Sequence, residues 1–577
     1  MNTKQKACHV AKIIRKHNGK TYTSYLLRRS VRKDGKVLHE NLGNLSHLPA
    51  HVIDIIDRSL KGEHFVSAKE AFRILETKPH GHVEVVLKAI RMLGLDSVIA
   101  SRPSRQRDLV LAMIVQHVLF PCSKLATTRH WHSTTLAEEL GLADANKDEV
   151  YAAMDWLESR QKAIEKKLAK RHLSEGCLAL YDVTSSYYEG NTCPLARRGH
   201  NRDKKQGKKI IVYGILADSD GRPIGIDVYP GNTSDPVTVA DQVEKLRNRF
   251  GLTRVVLAGD RGMLTEVQID MLRKYPGLGW ISALRSNSIR QLIDDGFVQR
   301  SLFDHENLAE IHSPEFPGER LVACYNPLLA DERRHKRQKL LAATERKLEP
   351  LVRDVARRTK KPLETKEIAL RAGKVIGLYK MAKHFRLDIA DNHFSWSRNE
   401  KSIKREEELD GIYVIRTSEP KQKLSAEDTV RSYKRLALLE QGFRSMKLHL
   451  KARPIRHRIP PRVKTHLSIC MLAQYVSWHL REAWRPLLFS DEELPEALKH
   501  RDPVAPATES ASVKQKKRTK LTSEGFPAHS IQTLMAHLAK RGRSHCEVTE
   551  SPGSTFDQVS ELDTLQAKAF HLLEAYL

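Results

Sequence analysis

The spacing of apolar and polar residues changes character along the chain, and each change marks a different kind of element. Residues 12–45 alternate with a period of two around turn signals, which predicts strands, with Asp34-Gly35 as a tight hairpin turn. From Ser67 to about Leu173 the period is helical: Leu109, Met113, Gln116 and Phe120 share one stripe, and Val150, Met154 and Leu157 a later one. Near Cys177 the short period returns. CLALYDVTSSYY predicts one strand, and KKIIVYGILADSDGRPIGIDVYPGN predicts two, joined at Ser219-Asp220-Gly221. Asp235 as N-cap and Pro236 as first helical residue predict a helix with the stripe Val239, Val243, Leu246 and Phe250, closed by Gly251. RVVLAGD then reads as a buried strand, Thr265 opens another helix, and GWISALR is a fifth strand.

Three antiparallel strands followed by alternating helices and parallel strands is the topology of the ribonuclease-H-like fold. The expected fold class is therefore α/β: a ribonuclease-H-like core over residues 174–285 and 425–485, interrupted by an inserted subdomain over 286–424. A small β-rich segment (1–66) and a helical N-terminal domain (67–173) precede it, and a C-terminal linker and helical tail (486–577) follow. In the insertion a long basic helix covers roughly Leu329 to Thr359, and RLDIADNHFSWSR and GIYVIRTS read as strands. Ser425-Ala426-Glu427-Asp428 resembles a capping box and starts a helix that runs past Lys447. Asp502 to Pro527 reads as a polar linker with a basic run. One stretch of the helical domain, with Lys124, Arg129, His130, Trp131 and His132, has two readings: a DNA-reading element, or a solvated helix face around a core tryptophan.

Charge narrows the class of partner. The 577 residues hold 98 Lys and Arg against 70 Asp and Glu, a net charge of +28, which favours a polyanion such as DNA. A membrane partner is disfavoured, because the longest apolar run, Leu109 to Phe120, is broken by Gln116 and His117 and falls short of the ~20 residues a bilayer requires. The first twenty residues show no apolar signal region, so a cytoplasmic location is expected, nucleoid-associated when bound to DNA. Seven scattered cysteines without a CxxC pair argue against a disulfide framework or a zinc module.

Three acids stand in places that disfavour charge. Asp182 lies inside an apolar strand, Asp260 ends another, and Glu440 lies on the apolar stripe of a helix. A buried carboxylate costs several kcal/mol unless paired or bound to metal. Divalent cations with oxygen ligands would compensate all three, and two such ions ~3.5–4 Å apart serve both oxygens of an in-line phosphoryl transfer. Taken singly, each acid has a bland reading: a strand-end aspartate, a cap in the GDRG turn, and a surface pair between Glu440 and Arg444 worth ~0.3–0.5 kcal/mol. Tyr433, Glu440 and Lys447 recur every seven residues and so share one helical stripe with Phe443.

Together, YDVTSSYYEG around Asp182, VVLAGDRGM around Asp260 and YKRLALLEQGFRSMK around Glu440 resemble the three acidic motifs of DDE transposases from bacterial insertion sequences. The third is similar to that family's Tyr-Arg-Glu-Lys signature, with Leu436 in the place of its Arg and Arg435 one position earlier. GNTSD at 231–235, Arg453-Pro454 and His466 also resemble the family. The resemblance implies a transposase that cleaves at element ends and joins the 3′-OH to target DNA, with Asp182, Asp260 and Glu440 as catalytic, metal-holding acids for two Mg²⁺ ions, Mn²⁺ substituting. It implies DNA contacts from Tyr433, Arg444, Lys447, Arg453 and Arg456, and from Trp396 on the insertion by stacking a base, the alternative being a tryptophan in the insertion's own core. Double-stranded DNA, as terminal inverted repeats and target, is the implied partner, bound by a homodimer. Two alternatives remain: a structure-specific nuclease on the same fold, and a catalytically silent DNA-binding derivative.

Overall fold

The computed structural model describes residues 8–33, 36–65, 67, 70–358, 360–505 and 508–577; the turn expected at Asp34-Gly35 lies outside the described residues. Two compact units emerge, Met1–Lys78 with Arg543–Ser560, and Pro79–Gly542 with Glu561–Leu577.

In the first unit the period-two segment forms an antiparallel sheet, β1 (Cys8–His17), β2 (Lys20–Lys33) and β3 (Lys36–Asn44), in that order. Helix α1 (Ala50–Leu60) buries Ile53, and β4 (Phe72–Pro79) follows. The segment expected to be helical from residue 67 thus begins with a strand. Its partner strand lies more than 460 residues further along the chain, out of reach of any local pattern.

The second unit opens with α2 (Gly81–Met92), α3 (Leu95–Ile99), α4 (Arg105–Leu119), α5 (Lys124–His130), α6 (Leu136–Glu139) and α7 (Lys147–His172). Asn146 and Glu149 form a capping box at the start of α7. The Lys124–His132 stretch buries Lys124 and Trp131 and leaves Arg129 and His132 exposed, the arrangement of a solvated helix face around a core tryptophan. Lys124 is 4% and Trp131 0% exposed, and the Lys124 ammonium donates to His117 Nε2 at 3.0 Å.

The central sheet begins with β5 (Cys177–Tyr187), β6 (Ile210–Ala217) and β7 (Pro223–Pro230), antiparallel in sequence. Helix α8 (Val239–Glu244), strand β8 (Val255–Ala258), helix α9 (Glu266–Arg273) and strand β9 (Leu278–Ala283) continue it, with β5, β8 and β9 mutually parallel neighbours. Asp235 starts a 3₁₀ turn ahead of α8 instead of capping it, and its carboxylate pairs with Arg202.

Next come α10 (Ser286–Asp294), β10 (Leu308–Ile311), β11 (Arg320–Tyr325), α11 (Pro327–Arg357), α12 (Thr365–Leu378), β12 (Phe385–Ala390), β13 (His393–Arg398), α13 (Glu400–Glu407) and β14 (Ile412–Thr417). This stretch is less separate than a plain insertion between 286 and 424. Strand β14 pairs antiparallel with β9, β11 with β14 and β10 with β11, extending the sheet to eight strands in the order β10-β11-β14-β9-β8-β5-β6-β7. Two apolar clusters lie apart from the main core here, one under β10, β11 and β14 with Leu292, Leu321 and Val414, and one in the β12–β13 hairpin and its helices with Leu348, Ile368, Phe385 and Phe394.

The chain closes with α14 (Ala426–Lys434), α15 (Leu436–Leu448), α16 (Pro460–Ala483), α17 (Leu494–His500), α18 (Ala511–Thr519), α19 (Ile531–Leu538), β15 (Gly542–Val548), β16 (Thr555–Val559) and α20 (Thr564–Tyr576). Two expectations change here. The polar linker contains α18, whose Lys516 is 2% exposed because its ammonium donates to the carbonyls of Arg485 and Leu488 at 3.1 Å while its stem packs. The helical tail contains a hairpin, with β15 pairing β16 and also β4 in the first unit's second sheet.

Buried histidines make the second unit acid-sensitive. Burial, reinforced by Arg222, holds His479 down to about 3, and burial holds His172 and His457 down to about 4. Each stays neutral in the folded chain where an unfolded histidine protonates near 6.5. Its contribution is complete above that value and lost as pH falls toward 4, at up to about 1.4 kcal/mol per histidine per pH unit. The melting temperature is expected to fall on acidification from pH 7 to 4.5, and His479→Phe is expected to flatten that fall; an unchanged slope in the variant would exclude His479 as a contributor.

Candidate active site

The site is built at the carboxyl ends of the parallel strands. In the β5–β8 ladder Leu180 is in register with Ala258, the last residue of β8, so Asp182 two residues further along β5 and Asp260 two residues past the end of β8 come close together. That end of a parallel ladder is where open α/β sheets present functional groups. Val183 N–H donates to Asp182 Oδ1 at 2.7 Å. Asp260 enters a tight turn, its carbonyl accepting from Met263 and Leu264 N–H.

Helix α15 packs on β5 through Leu439, Phe443 and Met446, with Phe443 edge-on to Tyr213 at 5.9 Å. Glu440, Arg444 and Lys447 are spaced four and three residues apart beside that apolar stripe, which turns them together toward the strand ends. The expected single helix is in fact two: α14 ends at Lys434 and α15 begins at Leu436. Tyr433 therefore belongs to a different helix from Glu440, and it still reaches the same place, its hydroxyl donating to Asp260 Oδ1 at 3.3 Å. Arg435, at the break, turns away to Ser219 O at 2.9 Å and Asp220, and Leu436 lines the cleft where the signature has its Arg.

The resulting cleft, about 770 Å³, is lined by Asp182, Asp260, Glu440, Tyr433, Arg444, Lys447 and Arg453, seven of the nine residues singled out from sequence. The other two lie elsewhere. Trp396 packs edge-on to Phe385 at 5.6 Å within the insertion's apolar cluster, and Arg456 is exposed and paired to Glu189 at 3.0 Å. Glu440 makes no ion pair with Arg444 among the described residues, which leaves its carboxylate to the cleft.

Further lining residues include Thr184, Arg202 and Asp203, which the sequence pattern does not single out, and Asp235, which it marks as a helix start and within GNTSD. Asp203, 1% exposed at its side chain, is a hub: Arg453 donates to Oδ1 at 2.6 Å, Lys447 to Oδ1 at 3.1 Å, and Tyr187 N–H to Oδ2 at 3.0 Å. Lys447 also donates to Thr184 Oγ1 at 2.9 Å and Ser185 O at 2.6 Å. The only sequence signal for Asp203 is an isolated acid among the cations of HNRDKK. Its partner Arg453 is 250 residues away.

The electrostatics follow from burial. Asp182 is pushed up to about 7, mainly by burial, with the charges of Asp260 and Asp235 adding and the Val183 N–H and Arg202 opposing. Burial lowers the Lys447 ammonium against the opposing effect of Asp203. Burial and the Asp260 charge raise the Tyr433 phenol. Three carboxylates opening on one cleft, one of them holding its proton near neutrality, are a hard-oxygen donor set that suits Mg²⁺ or Mn²⁺. A second cluster, His117, His466 and Cys470, does not suit a metal. Both nitrogens of His117 are engaged, Nδ1 with Leu450 O and Nε2 with the Lys124 ammonium, each at 3.0 Å, so a cation already stands there.

Residues 174–476 match the transposase DDE domain, and residues 10–70 match the N-terminal domain of IS1634 family transposases. No curated protein matches the chain. A cryo-EM structure of the piggyBac transposase synaptic complex with hairpin DNA is similar over 77% of this chain and 88% of that one, at 12% identity and a TM-score of 0.25, too loosely to bear on the fold. With the DDE domain spanning more than half of its length and the IS1634-type domain ahead of it, the chain belongs to the DDE transposases of bacterial insertion sequences.

Proposed function

We propose that this transposase cleaves DNA at the ends of its element and joins the freed 3′-OH to target DNA in the cleft between β5, β8 and α15, with Asp182, Asp260 and Glu440 as its catalytic acids. The observation that carries the reading is the ladder register pairing Leu180 with Ala258, which sets two aspartates close together opposite Glu440. The strand order β7-β6-β5-β8-β9, three antiparallel then two parallel, supports a ribonuclease-H-like core over 174–285 and 425–485 with 286–424 inserted.

DDE transposases generally use divalent metal ions. Here Asp182, Asp260 and Glu440 would hold them, and the bound ions supply charge stabilisation at the attacking and leaving oxygens. The chain's own cations do the rest. Lys447 and Arg453, tied to Asp203, and Arg202, tied to Asp235, line the wall where a phosphodiester backbone enters, fixing its position without reading sequence. Tyr433 orients the Asp260 carboxylate. Two element ends acted on together favour a homodimer on terminal inverted repeats and target DNA. Among the described residues no single helix is long and apolar enough to cross a membrane, in keeping with a cytoplasmic, nucleoid-associated protein.

The test is incubation of the full chain with Mg²⁺ or Mn²⁺ and DNA carrying the inverted repeats that flank its reading frame. Joined products are expected. Cleavage without joining would replace the reading with a nuclease, and binding without metal-dependent chemistry with a silent DNA-binding derivative.

Asp182 adds a pH signature. Its folded value near 7 exceeds the unfolded 3.8, so the metal-free chain loses stability as pH rises from about 4 to 7, by a few kcal/mol at most. Asp182→Asn is expected to melt higher than native at pH 7.5 without metal and to lose the stabilisation that added Mn²⁺ gives the native chain. Equal Mn²⁺ stabilisation in both would place the metal elsewhere.

A further inference from the structure

Outside the cleft, the first unit offers a strongly basic exposed segment. Residues 8–33 carry eight Lys and Arg and no Asp or Glu. They form the β1–β2 hairpin, whose strands pair without interruption from Cys8↔Arg29 to His17↔Lys20. Its turn is Asn18-Gly19, both with positive φ (50° and 71°), the geometry that closes a tight two-residue hairpin without splaying the strands. From Ile14 to Thr23 every residue is exposed, including Ile14 at 57% and Tyr22 at 55%. No hydrogen bond or ion pair engages the side chains of Arg15, Lys16 or Lys20 among the described residues.

The register assigns these side chains to faces. Opposed residues share a face and successive ones alternate, so Arg15, His17, Lys20 and Tyr22 stand on one side, and Ile14, Lys16, Thr21 and Thr23 on the other. An exposed, uncompensated basic ribbon two strands wide has the dimensions of a groove ligand. Its strands are ~4.8 Å apart, its projecting part is about 13 Å long, and the major groove of B-DNA, ~12 Å wide and ~8.5 Å deep, admits a two-stranded ribbon.

We propose that the β1–β2 hairpin tip, residues 14–23, inserts into the major groove of double-stranded DNA as this transposase's duplex-binding element. This rests on the reading of the chain as acting on DNA. Arg15, Lys16 and Lys20 contact phosphates or guanine edges, and Thr21, Thr23 and Tyr22 offer the hydroxyl and methyl groups that meet base edges.

The test measures binding of the full chain to a labelled duplex bearing the flanking inverted repeat, across a salt series, with joining scored on the same duplex. The triple variant Arg15→Ser/Lys16→Ser/Lys20→Ser is compared with Lys366→Ser/Lys374→Ser/Lys401→Ser, which removes equal charge from exposed positions of the insertion. Circular dichroism confirms that both variants fold. The hairpin variant is expected to bind at least tenfold more weakly near 0.1 M salt, with the slope of log K against log salt reduced by about 0.9 for each phosphate it no longer neutralises, while the insertion variant stays near native. Native affinity in the hairpin variant, equal weakening in the two variants, or equally tight hairpin-dependent binding of duplex RNA would each overturn the proposal. Hairpin-dependent binding with no joined product from the native chain would instead overturn the functional reading and leave the hairpin standing.

Discussion

Alanine at Asp182, Asp260 or Glu440 is expected to lower strand transfer by about a thousandfold or more while leaving duplex binding within a few-fold of native. The size follows from what the three acids do together. In the proposed reading each would supply oxygens to the same divalent-metal site, and charge stabilisation in a preorganised site is among the largest contributions a protein makes to a reaction. Binding is expected to survive because in that reading cations hold the DNA backbone, and removing a carboxylate from the cleft would lower repulsion toward phosphate. The two aspartates are anchored by the central ladder and Glu440 by a helix packed through Leu439, Phe443 and Met446, so each substitution leaves the packing beneath the site in place. Joined and cleaved products separated on a denaturing gel provide the measurement. Strand transfer within tenfold of native in Glu440→Ala would strike that residue from the acidic set.

Asp203→Ala is expected to destabilise the chain by about 3–5 kcal/mol, the cost of leaving buried charges without their partner. Its carboxylate is the shared acceptor for Lys447, Arg453 and the Tyr187 N–H, and removal strands two cations whose side chains are 10% and 25% exposed. Asp203→Asn keeps an acceptor oxygen and is expected to cost less. Combining Asp203→Asn with Lys447→Met, which withdraws one of the two cations, is expected to recover part of the loss. Urea denaturation of the native chain, the two single variants and the double variant measures the coupling directly, and additive effects in the double variant would show that Asp203 and Lys447 do not act as a pair. Because Lys447 lines the cleft, the double variant, which withdraws that cation, is also expected to bind DNA with a shallower salt dependence than Asp203→Asn alone.

The strands of the central sheet were legible because their side chains face a core on a period of two or as continuous apolar runs, and the order of elements carries the topology. The acids were legible for the opposite reason: a charge inside an apolar strand or stripe breaks the pattern around it. What the pattern could not carry is pairing at a distance. Strand β4 is completed by β15, and β9 by β14 from beyond the long helix α11, so one edge of the sheet and the makeup of the first unit were out of reach. The break at Arg435 was hidden because both helices keep the residue spacing of one. The charged composition of the 124–132 stretch and of α18 suggested solvent, yet Lys124 and Lys516 are buried, since a nearby acceptor neutralises the cost of burying an ammonium and acceptors are not visible along the chain.

The sequence by itself determined the element order, the basic character and the three acidic motifs, because periodicity, net charge and local spacing are properties of neighbouring residues. Only the tertiary structure decided which side chains share the cleft. It brought Asp203 to Lys447 and Arg453, kept Tyr433 on Asp260 across a helix break, left Trp396 in the insertion's core and freed the 14–23 hairpin to solvent. These outcomes depend on ladder register and on the burial of charge beside an acceptor distant in the chain, interactions that come into existence only once the backbone has closed on itself.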